Sequence, residues 1–287
     1  MTAVQFAKYH ATGNDFLVTA APPALAPGAH ALSPDEAVAL CDRHRGIGAD
    51  GVITLGPADA NTGADCTFAL RNADGGEAEM SGNGMRCLAA FAARQGIGSA
   101  AELRVHTPAG RRDVTLQRDR DGQVVAADVD MGRATFLPAQ IPFDGPDTRD
   151  VLAAVDGAQY RGDAVGMGNP HLVLCVDDVE SIPVAIHGPL LEHDSRFPQR
   201  TNVEWVAIRD RAHAVMRVWE RGAGETLSCG TGACAAAAVL RERDLVDARL
   251  TMHVPGGDLV IDFGTTIRLG GPVAHVFDVD IDRDRIR

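Results

Sequence analysis

One short pattern occurs twice in the amino-acid sequence, and the two copies lie about half the chain apart. Gly76-Glu77 precedes Ser81-Gly82-Asn83-Gly84, and Gly224-Glu225 precedes Cys229-Gly230-Thr231-Gly232. In each copy a small polar side chain is followed by G-x-G and an apolar run, a pattern typical of a helix N-terminus. Solenoid repeats have periods of roughly 20–50 residues, so a repeat this long instead indicates two copies of one domain. We interpret the copies as two facing half-sites that act on one substrate from opposite sides.

Two further matches occur in the same order. His106-Thr107-Pro108-Ala109-Gly110 returns as His253-Val254-Pro255-Gly256-Gly257, and Gly13-Asn14 returns as Gly168-Asn169. Residues 233–240 are apolar on every face, so the helix they form should be buried all round. We therefore predict an α+β protein of two pseudo-symmetric domains, each a strongly curved, barrel-like sheet of mixed and antiparallel strands around a central helix. The N-terminal domain is predicted at residues 1–121 and 271–287, and the C-terminal domain at residues 122–270.

Composition limits the classes of function. The formal net charge of −12 argues against nucleic acid as a partner, because binding phosphates needs a basic surface. The sequence has neither a secretory signal pattern nor an apolar run of membrane-spanning length, so we predict a cytoplasmic protein with no membrane partner. Its six cysteines lack the C-x-x-C spacing of zinc sites, and we expect reduced thiols and no metal. Lys8 is the only lysine, which argues against a pyridoxal-phosphate cofactor, and we expect no cofactor.

The periodicity of the sequence predicts the main elements. Ser33-Pro34-Asp35-Glu36 has the serine, proline and glutamate of a capping box, which predicts a helix to about His44. Two further helices are predicted at about 84–95 and 232–243, and strands at 4–18 (broken at 13–14), 52–55, 66–71, 171–176, 203–208 and 214–219. Residues 46–51 match G-x-G-x-x-G, but a dinucleotide site needs a strand before that motif and a helix after it. Since the predicted order here is the reverse, we interpret this segment as a structural turn.

The cysteine in the second copy has two interpretations. A free cysteine is most often a packing residue, but a helix N-terminus offers unpaired N–H groups and a partial positive charge. We therefore expect a reactive Cys229 whose thiol pKa lies below its usual ~8.5. Arg221, next to Glu220, is either part of a surface ion pair or a bidentate clamp for a carboxylate. His171 is either an ordinary loop histidine or a site residue.

Eight segments together resemble the diaminopimelate epimerase family. They are G-N-D-F at 13–16, N-A-D-G at 72–75, M-S-G-N-G-x-R-C at 80–87, G-N-P-H at 168–171, T-N-V at 201–203, E-R-G-A-G-E at 220–225, C-G-T-G-A-C at 229–234 and P-G-G at 255–257. The resemblance runs from about residue 5 to residue 278. It implies an isomerase that converts L,L-diaminopimelate to meso-diaminopimelate without a cofactor, in lysine and peptidoglycan precursor biosynthesis. It also implies a homodimer.

The resemblance assigns candidate residues as well. Cys229 matches one of the family's two catalytic cysteines, and His171 and Glu220 match residues that assist the acid–base pair. The implied substrate contacts are Asn14, Asn72, Gly82, Asn83, Asn169, Asn202, Glu220, Arg221, Gly230 and Thr231. Two positions depart from the family pattern. Gly51 stands where the family often has a substrate-contacting glutamine, and Ser81 stands at the second catalytic cysteine.

The serine limits the chemistry that the first half-site can perform. A hydroxyl pKa near water's ~15.7 exceeds a thiol's ~8.5 by about 7 units, roughly 10 kcal/mol, whereas protein environments shift a pKa by up to roughly 3–5 units. Ser81 should therefore not rest as a base at neutral pH. Three explanations stay open: an engineered Cys→Ser trap, a natural variant with a helper base, or altered chemistry. The alternative functions are another cofactor-independent amino-acid racemase or dehydratase of the same superfamily, a catalytically silent binding protein, and a thiol hydrolase using Cys229 and His171.

Overall fold

The computed structural model describes residues 3–22, 24–58 and 61–286. Over these ranges the protein has a mixed α+β fold that consists mostly of strands, with four α-helices. No helix within the same ranges is long and apolar enough to cross a membrane. The polypeptide divides into two compact units, Met1–Asp130 with Gly271–Arg287 and Met131–Gly270. The boundary near residue 130 falls inside a strand, and the domain limits derived from the sequence stay a prediction.

The elements have the following bounds. The strands are β1 Ala3–Ala11, β2 Asn14–Ala20, β3 Gly51–Gly56, β4 Cys66–Asn72, β5 Glu77–Ala78, β6 Glu102–Thr107, β7 Gly110–Arg118, β8 Val124–Gly132, β9 Val151–Val155, β10 Ala158–Gly166, β11 Pro170–Cys175, β12 Asn202–Asp210, β13 His213–Glu220, β14 Gly224–Thr226, β15 Arg249–Val254, β16 Gly257–Phe263, β17 Ile267–Pro272 and β18 Ala274–Asp282. The helices are α1 Pro34–Cys41, α2 Gly82–Arg94, α3 Val184–Glu192 and α4 Gly230–Glu242, with short 3₁₀ turns at Pro138–Gln140 and Arg283–Arg285.

In the first unit the strands pair in a defined order. The pairs β1–β2, β3–β4, β6–β7 and β7–β8 are antiparallel, and β2–β3 and β4–β6 are parallel. β18 pairs antiparallel with β1. Helix α2 contacts β1, β2, β3, β4 and β7, and its residues 82–92 are buried. This helix therefore occupies the core of the first unit.

The second unit repeats that order of pairings. The pairs β10–β11, β12–β13, β15–β16 and β16–β17 are antiparallel, and β11–β12 and β13–β15 are parallel. Helix α4 contacts β10, β11, β12, β15 and β16. Its residues 232–240 are buried, as predicted from their apolar sequence, and their small alanine side chains let the strands approach closely. β9 adds an antiparallel partner to β10.

The structure confirms most of the predicted elements and corrects several boundaries. The capping box at Ser33 is present, but α1 ends at Cys41 and not at His44. The Asp42 carboxylate accepts hydrogen bonds from the backbone N–H groups of His44 and Arg45, and this turn replaces the predicted last helical residues. Helices α2 and α4 begin two residues earlier than predicted, at Gly82 and Gly230. Helix α3 was not predicted, because a glycine and a proline interrupt its apolar run.

Residues 46–51 form the turn that the sequence predicts. Helix α1 precedes them and strand β3 follows them, which is the reverse of the order in a dinucleotide-binding motif. Gly48 has a φ of +81°, a conformation that glycine adopts without steric cost. The ammonium group of Lys8 lies 2.7 Å from the Asp15 carboxylate and also donates a hydrogen bond to the Gly48 carbonyl. The chain's single lysine thus holds this turn against the β1–β2 hairpin.

Candidate active site

The two predicted motifs form the N-terminal ends of two helices of equal length. Helices α2 and α4 both have 13 residues, and their N-cap residues are Ser81 and Cys229. The backbone of both N-caps is extended, with φ/ψ of −143°/123° at Ser81 and −119°/114° at Cys229. Ser81 Oγ accepts a hydrogen bond from the Gly84 N–H at 3.0 Å, and Cys229 Sγ accepts one from the Gly232 N–H at 3.3 Å. The prediction that these side chains lie at helix N-termini is confirmed.

Glycine follows each N-cap residue. Gly82 and Gly230 are the first helical residues, and the N–H groups of a first helical turn have no carbonyl partner within the helix. Those of Gly84 and Gly232 bond to the N-cap side chains. Thr231 follows Gly230, and its hydroxyl lies 3.5 Å from Cys229 Sγ. Each helix start can therefore offer N–H donors to an anionic group without a side chain in the way.

We call Ser81, Asn14 and Asn83 the serine half-site. Asn83 Nδ2 donates a hydrogen bond to Asn14 Oδ1 at 3.2 Å, and Asn14 Nδ2 donates one to Asp50 Oδ2 at 2.6 Å. The guanidinium group of Arg86 donates to Asn83 Oδ1 at 2.7 Å. Asn83 and Arg86 are both buried. Two of the implied substrate contacts thus belong to one hydrogen-bonded group, and neither Asp50 nor Arg86 was identified as a site residue from the sequence.

Asn72 lies at the end of β4, where it is exposed and pairs with Gly51 of β3. A Cβ atom at Gly51 would lie 2.6 Å from the Arg71 carbonyl oxygen and 3.0 Å from Leu70 Cδ1. Any side chain larger than hydrogen at this position would therefore require the two strands to move apart. The close approach of β3 and β4 gives a physical reason for the glycine.

We call Cys229, Glu220, His171 and Glu204 the cysteine half-site. His171 is fully buried on β11, and its Nδ1 lies 2.7 Å from Glu204 Oε1. Its Nε2 lies 2.9 Å from Asn169 Oδ1, so both ring nitrogens have an oxygen partner. In the parallel register of β11 and β12, His171 of β11 pairs with Asn202 of β12. Glu204 lies two positions after Asn202 on β12. His171 is therefore an oriented core histidine and not a loop residue.

In the cysteine half-site, Glu204 was not predicted from the sequence. It is fully buried on β12, and among the described residues its Oε2 has no hydrogen-bond partner. A Cβ atom at Gly232 would lie only 2.6 Å from Glu204 Oε1, so this carboxylate lies directly beside the first turn of α4. The available signal was a glutamate inside the otherwise apolar run V-E-W-V at 203–206. A buried carboxylate in such a strand needs a partner, and here the partner is His171.

Burial raises the pKa of the Cys229 thiol well above its usual value, and the carboxylates of Glu220 and Glu204 raise it further. The hydrogen bonds from Thr231 and from the Gly232 N–H only partly offset these effects. The expectation of a lowered thiol pKa is therefore wrong. The helix N-terminus acts as predicted, but loss of hydration and two nearby carboxylates outweigh it. Cys229 rests as a thiol at neutral pH.

Glu220 lies at the end of β13, beside the thiol. Burial raises the pKa of its carboxyl group, more than hydrogen bonds with Thr226 and Cys229 lower it. The Thr226 hydroxyl donates to Glu220 Oε1. A carboxyl group whose pKa is raised toward neutrality accepts and releases a proton more readily at working pH than an ordinary glutamate does. Glu220 is thus suited to exchange a proton with the adjacent thiol.

The loop after Glu220 is held by two buried side chains. Asn202 Oδ1 accepts a hydrogen bond from the Arg221 N–H at 2.9 Å, and Asn202 Nδ2 donates to the Pro170 carbonyl at 2.9 Å. Glu192 of α3 accepts from the Gly222 N–H at 3.1 Å. The guanidinium group of Arg221 is exposed, and its Nη1 donates to the Gln199 carbonyl. Asn202 thus connects the strand that carries His171 with the loop that carries Arg221.

Proteins of known function that are similar to this chain identify its family. The sequence profile of the family described as "Diaminopimelate epimerase" matches residues 6–137 and 163–267. The chain belongs to the diaminopimelate epimerase family. It is 45% identical over 287 residues to "Diaminopimelate epimerase 1" of Nostoc sp., covering 96% of this chain and 98% of that protein. It is 42% identical over 298 residues to a diaminopimelate epimerase of Burkholderia ambifaria, covering 97% and 98% respectively.

Several solved structures have the same fold as this member of the diaminopimelate epimerase family, although their sequence identity to it is low. A hydroxyproline epimerase from Agrobacterium vitis with bound trans-4-hydroxy-L-proline matches with a TM-score of 0.72 at 15% identity, over 98% of this chain and 93% of that chain. A phenazine biosynthesis protein of the PhzF family from Bacillus anthracis matches with a TM-score of 0.68 at 13% identity, over 98% and 99%. At these identities the likeness concerns the fold alone.

Proposed function

We propose that this protein converts L,L-diaminopimelate to meso-diaminopimelate by exchanging a proton at the α-carbon, without a cofactor. The observation that carries the proposal is the thiol of Cys229 at the N-terminus of α4, next to Glu220. Membership of the family and relatives 45% and 42% identical over nearly the whole chain support the same substrate. The enzyme is accordingly an isomerase of lysine and peptidoglycan precursor biosynthesis.

Cys229 is the acid–base group for one face of the α-carbon. Because the thiol rests protonated, it first gives its proton to Glu220, whose raised pKa makes the carboxylate a competent acceptor. The thiolate then takes the α-proton, and the electron pair left on carbon delocalises into the substrate carboxylate. The N–H groups at the start of α4 stabilise that developing charge. Arg221, Asn169, Asn202, Gly230 and Thr231 are proposed to bind the substrate on this side.

Ser81 occupies the position of the family's second acid–base group, and Asn14, Asn72, Gly82 and Asn83 are proposed substrate contacts beside it. A hydroxyl in that position is a poor base at neutral pH, so the return of a proton to the opposite face should be slow. Proton exchange on the Cys229 face needs only Cys229 and its partners. We therefore propose that exchange with retention persists while net epimerisation is weak.

Three further features belong to the proposal. The repeated order of strand pairings supports two pseudo-symmetric domains, each a strongly curved sheet around α2 or α4. The resemblance to the family supports a homodimer. A catalytic cysteine must stay reduced, which favours the cytoplasm as the compartment.

The test follows α-proton exchange and configuration together. L,L- and meso-diaminopimelate are incubated separately in deuterated buffer with the protein, with Ser81→Cys and with Cys229→Ser. We expect deuterium at Cα with retained configuration in one stereoisomer only, a strong rise in epimerisation for Ser81→Cys, and no exchange for Cys229→Ser. Trans-4-hydroxy-L-proline is the control substrate, because its turnover would indicate another cofactor-independent racemase.

Two results would contradict the proposal. No deuterium in either stereoisomer, together with no turnover by Ser81→Cys, would remove diaminopimelate as the substrate. An unchanged or lower rate for Ser81→Cys, with exchange by the original protein intact, would show that Ser81 is suited to its own chemistry and is not a failed second base.

A further inference from the structure

The amide groups of Asn14 and Asn83 belong to a linear chain of hydrogen bonds that begins at Asp50. Asp50 Oδ2 accepts from Asn14 Nδ2 at 2.6 Å, Asn14 Oδ1 accepts from Asn83 Nδ2 at 3.2 Å, and Asn83 Oδ1 accepts from Arg86 Nη2 at 2.7 Å. The two ends of an asparagine amide have the same shape but opposite hydrogen-bonding character. What fixes the orientation of such an amide is therefore the character of its partners.

This chain of hydrogen bonds ends in an acceptor, Asp50, and in a donor, Arg86. Asp50 receives two further donors, the Arg43 guanidinium at 2.7 Å and the Asp15 backbone N–H at 3.0 Å, so its carboxylate acts as an acceptor. A reversed Asn14 would set its carbonyl oxygen against that carboxylate at about the same 2.6 Å spacing, which is repulsive. At the other end a guanidinium has only donors, so Asn83 must turn its oxygen toward Arg86. The two requirements are compatible only in the observed direction.

We propose that Asp50 and Arg86 are positioning residues that fix the direction in which Asn14 and Asn83 present their amide groups to the substrate. This inference rests on the proposed function, in which both asparagines contact diaminopimelate. With one N–H directed to Asp50, the amide inventory of Asn14 still includes a second N–H and a second oxygen lone pair. The N–H can donate to one carboxylate oxygen and the lone pair can accept from one ammonium hydrogen, and these are the two charged groups of an amino acid.

Asp50 lies in the turn at residues 46–51. The proposed role of this turn is therefore to position Asp50, and not to bind a nucleotide. The turn is held by Lys8 at the Gly48 carbonyl and by Arg43, which joins the Asp15 and Asp50 carboxylates. The single lysine and this arginine therefore support the turn, and the turn presents Asp50 to Asn14.

The test compares Asp50→Asn with Asp15→Asn. Both substitutions remove one carboxylate that pairs with Arg43, and Asp15→Asn also removes the ion-pair partner of Lys8. Only Asp50 contacts the Asn14 side chain. An asparagine at position 50 can present either its oxygen or its amino group to Asn14, so the acceptor of fixed character is lost and only the Arg86 end still sets the direction of the hydrogen bonds. We expect Asp50→Asn to raise KM for diaminopimelate about tenfold, the size of one lost substrate hydrogen bond, with a smaller change in kcat. Asp15→Asn should stay within about twofold of the parent, and Asp50→Glu, which keeps an acceptor, should recover most of the affinity.

Turnover is measured in the Ser81→Cys background, and the dissociation constant of L,L-diaminopimelate is measured by calorimetry in the original protein. KM and the dissociation constant do not depend on the fraction of active protein, so partial misfolding does not mimic the effect. Equal values for Asp50→Asn and Asp15→Asn in a parent that binds and turns over diaminopimelate overturn this inference alone. A parent that neither binds nor turns over diaminopimelate removes the proposed function as well.

Discussion

Replacing Gly232 by alanine tests whether the Glu204–His171 pair is held as tightly as its geometry indicates. The added Cβ would lie 2.6 Å from Glu204 Oε1 and 3.3 Å from Cys229 Cβ, so the carboxylate must move. Moving it breaks the 2.7 Å contact with His171, and a hydrogen bond of this charged kind contributes about 1.5–3 kcal/mol. Alanine gains up to about 1 kcal/mol over glycine in a helix. The net loss in the free energy of unfolding should be about 0.5–2 kcal/mol.

The chain offers a matched control at the same position of the other helix. A Cβ atom at Gly84 would lie 3.1 Å from Ile53 Cδ1 and 3.1 Å from Ser81 Cβ, contacts that a small adjustment relieves. Gly84→Ala should therefore be neutral or slightly stabilising. Urea denaturation followed by circular dichroism compares the two variants, and α-proton exchange reports whether the cysteine half-site is still intact. Equal stability of Gly232→Ala and Gly84→Ala, with exchange intact in both, would refute the view that Glu204 is fixed.

Two predictions concern pH. The pKa of Cys229 lies well above its usual value, so the rate at which iodoacetamide alkylates Cys229 should still rise with pH above pH 9.0. Peptide mass spectrometry measures this rate, and a plateau below about pH 8 would instead mean a resting thiolate. Burial raises the pKa of Glu220 above its usual 4.5, so the folded protein binds this proton more tightly than the unfolded chain and loses stability as pH rises from 4.5 toward the raised pKa. Glu220→Gln removes that loss, so its free energy of unfolding relative to the parent should grow between about pH 4 and pH 7, and a constant difference in urea denaturation would contradict the shift.

The helix starts could be predicted because their signal is local. Ser81 and Cys229 are each followed by G-x-G and an apolar run, and a cap depends only on the residues next to it. The same holds for the capping box at Ser33. The pairing order of the strands was only partly accessible, since parallel pairs such as β11–β12 join segments that are distant in sequence.

Glu204 and the thiol pKa could not be obtained in this way. Glu204 and His171 are 33 positions apart, and only the register of two parallel strands brings them together. The sign of the pKa shift at Cys229 depends on how much water its surroundings exclude and on where Glu220 and Glu204 point. Both are properties of tertiary packing, whereas the N-terminus of α4 is a property of the local sequence. The helix N-terminus at Cys229 was predicted correctly, but burial and the two carboxylates have the larger effect on the thiol pKa.

The solitary ε-amine of the chain, at Lys8, has a practical consequence. Reductive methylation with ¹³C-formaldehyde would label this side chain and the terminal amine alone, and therefore yield a spectrum with very few resonances. Since Lys8 touches the Asp15 carboxylate and the Gly48 carbonyl, its methyl chemical shifts would report on the segment that carries Asp50. Titration with diaminopimelate would then reveal, without any mutation, whether that segment senses ligand arriving at Asn14.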